Sequence, residues 1–80
     1  MAQQKFIIRN RDNPAWLTEI QTDGKQRTFR YLPNVALAKV FGTKREASAM
    51  AELCRGRVQI LKHKKAGMAY AEDIKDDDKH

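Results

Sequence analysis

The stretch Gly42-Thr43-Lys44-Arg45-Glu46 constrains this chain more than any other, because it spells out a helix start with its cap included. A threonine at the cap position accepts a hydrogen bond from the third helical amide, and a glutamate three residues on reaches back to the cap amide. Ala47, Met50, Ala51 and Cys54 then recur at the spacing of one helical face, with Leu53 widening the stripe. Lys44, Arg45, Ser48, Glu52 and Arg55 fall towards water. Gly56 follows as the expected left-handed residue that closes the helix. Local chemistry thus predicts one helix, from about residue 43 to 55.

The segments around it read as strands. Phe6 to Arg11 is rich in β-formers and stops at Asp12-Asn13-Pro14, a turn signal. Ala15 to Gln21 alternates, with Trp16, Thr18 and Ile20 on one face and Leu17, Glu19 and Gln21 on the other. Thr22-Asp23-Gly24-Lys25 predicts a tight hairpin of type I′, since Asp-Gly tolerates the positive φ angles that this turn needs. Arg27 to Leu32 is the third strand, with Phe29 and Tyr31 on one side. Val35 to Phe41 is too short for periodicity to decide. It reads as a connecting turn whose Phe41 dips into the core. After the helix, Arg57 to Lys62 returns as a strand, with Val58 and Ile60 facing one way and Leu61 the other.

The fold class that follows is α+β: a small antiparallel sheet in the order β-β-β-α-β, with one helix packed on one face. Its expected core is Phe6, Ile8, Trp16, Ile20, Phe29, Tyr31, Phe41, Ala47, Met50, Ala51, Cys54, Val58 and Ile60. Residues 1–65 form the single domain. Residues 66–80 read as an acidic, flexible tail with at most a weak helix over Met68 to Ile74.

Eighty residues hold one domain, and one so small buries only about 60% of its unfolded surface. Its one cysteine, Cys54, rules out an intramolecular disulfide and suits a reducing compartment. His63 and His80 stand at no familiar zinc spacing from it. No cofactor or metal is expected, and dimerisation remains a route to stability. The longest nearly apolar run, Val35 to Phe41, is broken by Lys39 and too short for a membrane span. The chain reads as soluble and cytoplasmic.

Catalysis finds little footing here. Ser48 is the sole serine and sits mid-helix without a histidine beside it, and Cys54 lies on the apolar stripe as a small hydrophobe. Asp76-Asp77-Asp78 lacks the alternating ligands and glycine of a calcium loop. Binding is the expected activity, and the charge distribution says of what kind. Through Lys65, fourteen Lys and Arg face five acids, a net of +9. From Ala66 onward two Lys face five acids, a net of −3. A basic body suits an anionic partner. The expected contact surface is Arg9, Arg11, Arg27, Arg30, Arg55 and Arg57.

Two partners fit. A host protein is favoured, because Ile7, Leu17 and Leu61 point away from the expected helix-covered side and would form an exposed apolar patch. The alternative is a nucleic acid, its phosphates met by the arginines and its bases stacked on Trp16, Phe29 or Tyr31. A small helix-on-sheet domain needs large aromatics in its core, so Trp16 and Phe29 read as core ahead of platform. Lys44 and Arg45 oppose the dipole of their own helix, which places them towards an anionic partner or simply towards water.

Ala38-Lys39-Val40-Phe41-Gly42-Thr43-Lys44-Arg45-Glu46-Ala47, placed after an N-terminal hairpin, resembles the Ala-x-x-Phe-x-Thr-Lys-x-Glu-Ala pattern of many short phage and prophage proteins. The likeness spans roughly residues 5–62. Its motif is structural, an aromatic plug followed by a helix cap and the first core alanine, so no functional residue carries over. It implies a bacterial or phage setting, in which such proteins often bind and redirect a host protein. The acidic tail departs from the pattern.

Overall fold

The computed structural model describes residues 4–64 and 67–74. It is a small α+β domain with five antiparallel strands and one helix. The elements run β1 (Lys5–Asn10), β2 (Trp16–Asp23), β3 (Gln26–Leu32), a 3-10 turn (Val35–Leu37), α1 (Lys44–Cys54), β4 (Gly56–His63) and β5 (Ala69–Asp73). In space the strands lie in the order β3-β2-β1-β4-β5, all neighbours antiparallel. No helix among the described residues is long and apolar enough to cross a membrane.

The helix forms where its cap predicts. Thr43 Oγ1 accepts from the Glu46 amide at 3.1 Å, and the Glu46 carboxylate takes the Thr43 hydroxyl at 3.4 Å rather than the cap amide. Ala47 and Ala51 are buried, and Ala51 forms a cluster with Ile8 and Leu17 against which the half-buried Met50, Cys54, Ile20, Phe29, Tyr31, Phe41 and Val58 pack. Leu53 does not widen this stripe: it is 55% exposed. The helix terminator also differs from expectation. Arg55 takes the left-handed conformation (φ 58°, ψ 42°), donating its amide to the Ala51 carbonyl, and Gly56 already belongs to β4. A β-carbon on Gly56 would lie 2.3 Å from Ile8 Cγ2, so close strand packing, not backbone handedness, requires glycine there. At the β2–β3 turn Gly24 has φ 64°, whereas Arg55 is the only non-glycine with positive φ among the described residues. The turn therefore follows the glycine-first pattern of type II′, in place of type I′.

A β-bulge reassigns the sheet faces. The β2–β3 register slips between Leu17 and Glu19, leaving Thr18 as the extra residue, its hydroxyl donating to the Arg30 carbonyl at 3.2 Å. An inserted residue inverts the alternation beyond it. Leu17 and Ile20 consequently share the helix-covered face, and Trp16 turns to the opposite one, beside Arg9. This corrects two expectations. Trp16 does not join the Phe29 side of the core, and Leu17 lies on no exposed patch.

That opposite face is covered as well. Ile7 is 0% exposed, and Leu61 is half-buried. Strands β2 and β5 stand three places apart, about 14 Å in a flat sheet. The 3-10 turn, three residues and about 6 Å long, nevertheless lies against both. The sheet must curl around it. The chain after the turn bonds to both β1 and β2: Lys39 donates to the Leu17 carbonyl at 2.8 Å, and Phe41 and Phe6 exchange backbone bonds at 2.7 and 3.0 Å. It thus fills the gap where β2 diverges from β1 beyond the Arg9–Trp16 pair.

The segment expected to be a tail supplies β5. Ala69–Asp73 pairs with β4 from His63 to Gln59, so the sheet runs past the expected boundary at residue 65, and no helix forms over 68–74. Residues 75–80, with the Asp76–Asp78 run, lie outside the described residues.

Candidate functional site

Four of the six predicted arginines meet at one end of the sheet. Arg9 is near the end of β1 and Arg57 near the start of β4, where the antiparallel register sets them directly opposite each other. Side chains so paired have β-carbons about 5 Å apart, and like charges there repel. Arg11 rides on the β1–β2 turn, which Asn10 shapes by accepting the amides of Asp12 and Asn13 at 2.8 and 3.2 Å. Arg55 sits at the left-handed helix end two residues before Arg57.

Arg9, Arg11 and Arg57 line an open cleft of about 320 Å³. Arg11 also borders a second cleft of about 430 Å³, with Arg55, Ser48 and Glu52 on its walls. The shared arginine joins the two clefts into one cationic rim that wraps the sheet end. Guanidinium groups stay protonated at any ordinary pH and offer forked donors that match phosphate or carboxylate. Within the cluster, Arg9 donates to the Asn10 carbonyl at 3.0 Å, and Arg57 lies 3.6 Å from Asp73.

The other two predicted arginines stand apart, on β3. Arg30 lies 3.8 Å from Glu19 on the face away from the helix. Arg27 is on the helix side, where it lines a separate groove with Lys25, Phe29 and Leu53. One surface of six arginines is therefore not what the fold makes.

Beneath the rim runs a polar chain that the sequence reading missed. Trp16 Nε1 donates to Gln59 Oε1 at 2.8 Å, and Gln59 Nε2 donates to Asp73 Oδ1 at 2.8 Å, the carboxylate that faces Arg57. Gln59 is only 8% exposed. A glutamine amid the apolar run Val58-Gln59-Ile60-Leu61 was the available signal, since buried amides need partners. The Trp16 indole of β2 is thereby tied through β4 to β5. At the far end of β4 and β5, Glu72 hydrogen-bonds Lys62 at 2.6 Å and raises the lysine pKa by that bond and its charge. Burial, followed by hydrogen bonding and charge interaction with the Cys54 side chain, raises the Tyr31 pKa well above the ordinary phenol, and the Tyr31 hydroxyl donates to the Cys54 carbonyl at 3.5 Å. Among the described residues no group of three His, Cys, Asp or Glu side chains could hold a metal ion.

Comparison of the chain with protein-family models, curated proteins and solved structures finds no match. Fold and surface together define a small α+β domain with a cationic rim.

Proposed function

We propose that this chain is a non-catalytic binding domain that holds a nucleic acid by its phosphates through Arg9, Arg11, Arg55 and Arg57. The observation that carries this reading is the convergence of these residues, with Arg9 and Arg57 set opposite one another across β1 and β4. Two like charges held so close favour whatever anion relieves their repulsion. A host protein was the favoured partner on the strength of an apolar patch. With Ile7 and Leu17 buried, that support is lost. A carboxylate-rich host protein remains the second reading, because Arg57 already faces the Asp73 carboxylate. The bacterial or phage setting belongs to both readings and rests on the Ala38–Ala47 motif alone.

The test is fluorescence-anisotropy titration with labelled single- and double-stranded DNA and RNA at low and near-physiological salt. Four phosphate contacts on a duplex give a log–log salt slope of about −3.6, roughly a hundredfold loss of affinity between 50 and 200 mM salt. Each of Arg9→Gln, Arg11→Gln, Arg55→Gln and Arg57→Gln should lower that slope by about one. Arg30→Gln, at a site remote from the rim, should leave it unchanged. Absence of binding at both salts refutes the nucleic-acid reading and leaves the rim to an acidic protein.

A further inference from the structure

Strand β3 ends the sheet, and among the described residues nothing pairs with its outer edge. Its register with β2 is regular from Asp23–Gln26 to Glu19–Arg30. In a two-residue hairpin the pair flanking the turn is hydrogen-bonded, and bonded and non-bonded pairs then alternate. Arg27 and Phe29 fall at non-bonded positions, so their N–H and C=O groups point outward, unclaimed by β2. Their side chains meanwhile share the helix side, where Phe29, Arg27 and Lys25 border an open groove of about 470 Å³ with Leu53, itself 55% exposed. Arg30 projects from the opposite face.

We propose that this edge receives an extended acidic segment of a protein partner as a sixth strand. Strand addition takes its affinity from main-chain bonds and its specificity from alternate side chains. The register defines that alternation. In an antiparallel partner the residue opposite Phe29 is apolar and covers Phe29 and Leu53. The residue two places on is acidic and meets Arg27 and Lys25. The residue one place before is acidic and meets Arg30 on the other face, while Thr28 faces a small polar residue. A second copy of this chain does not meet the requirement. It would bring its own Lys25, Arg27 and Arg30 to the same edge, and charges of one sign are what keep edge strands from pairing with each other. The surface is separate from the arginine rim and does not depend on what the rim binds.

The probe is a capped octapeptide, Thr-Val-Glu-Leu-Thr-Glu-Val-Thr, titrated into the ¹⁵N-labelled full chain and followed by amide hydrogen exchange. Exchange at the Arg27 and Phe29 amides should slow at least tenfold, and the same peptide with lysine for both glutamates should have no effect. Arg27→Gln, an exposed substitution, should weaken binding about tenfold. Arg27→Pro removes the outward N–H as well and should abolish it. Arg9→Gln and Arg57→Gln should leave it intact. Absence of peptide binding overturns the proposal, as do amide changes confined to the arginine rim, which would assign acidic segments to the rim instead. Equal protection of the β3 amides by an oligonucleotide also overturns it. The oligonucleotide titration is read at the Arg9 and Arg57 amides of the same sample, so failure at one surface is distinguished from failure at the other.

Discussion

Gly56→Ala should be among the most damaging single-methyl changes in this protein. The added β-carbon would lie 2.3 Å from Ile8 Cγ2, 3.1 Å from the Arg9 carbonyl oxygen and 3.4 Å from Cys54 Sγ. Carbon atoms rest about 3.5–4.0 Å apart, so Ile8 would have to retreat by more than about 1 Å. It has nowhere to go, being 0% exposed and part of the central cluster with Leu17 and Ala51. Overpacking of this kind costs about 1–3 kcal/mol, and a fixed carbonyl on the second side places the expected cost near about 3. A chain of this length has a total stability of about 4–12 kcal/mol. The assay is urea denaturation followed by Trp16 fluorescence. With a slope of about 1 kcal/mol per molar, the midpoint should fall by about 3 M.

A double-mutant cycle isolates the cause. Ile8→Ala alone should cost about 2–5 kcal/mol through its cavity, and in that background Gly56→Ala should cost less than about 1, since the offending methyl is gone. Sulfate, which strengthens burial, keeps the double variant folded enough to measure. Gly42→Ala is the control. No atom lies within 4 Å of its β-carbon position and its φ is not positive, so it should be neutral or stabilise by up to about 1 kcal/mol through the unfolded chain. A cost below about 0.5 kcal/mol for Gly56→Ala, or the same cost in both backgrounds, would refute the steric reasoning.

The protein should lose stability as pH rises past 10. Tyr31 and Lys62 both have folded pKa values raised above their unfolded values, so between the two the native state holds more protons and deprotonation favours unfolding. Tyr31→Phe should blunt this alkaline loss while costing at most about 1 kcal/mol at pH 7, read from urea midpoints at pH 7 and pH 11; an unchanged pH profile would contradict the assignment. Gln59→Leu keeps the volume but leaves the Trp16 indole N–H without its acceptor and frees Asp73. A loss of about 1–3 kcal/mol is expected in the same denaturation assay, and a change below about 0.5 would show that the Trp16–Gln59–Asp73 chain contributes little.

What was legible in the sequence was local. The α1 start follows from Thr43 and Glu46, its buried face from the spacing of Ala47, Met50, Ala51 and Cys54, and the β2–β3 hairpin from Asp23-Gly24. Each depends on residues at most about seven apart, and no distant partner is needed to recognise it. The face of Trp16 and Leu17 was not legible, because the bulge at Thr18 is a property of two paired strands and inverts the alternation that either strand shows alone. Strand β5 was missed for a related reason: Ala69–Asp73 has no strong preference of its own, and the open edge of β4 provides its hydrogen bonds. Gly56 was rightly singled out for the wrong cause, since the close approach of Ile8 appears only when β1 packs beside β4. The arginines themselves were plain to see. That Arg9, Arg11, Arg55 and Arg57 converge while Arg27 and Arg30 go elsewhere was decided by the strand order β3-β2-β1-β4-β5, which sets β1 beside β4 and sends β3 to the far edge.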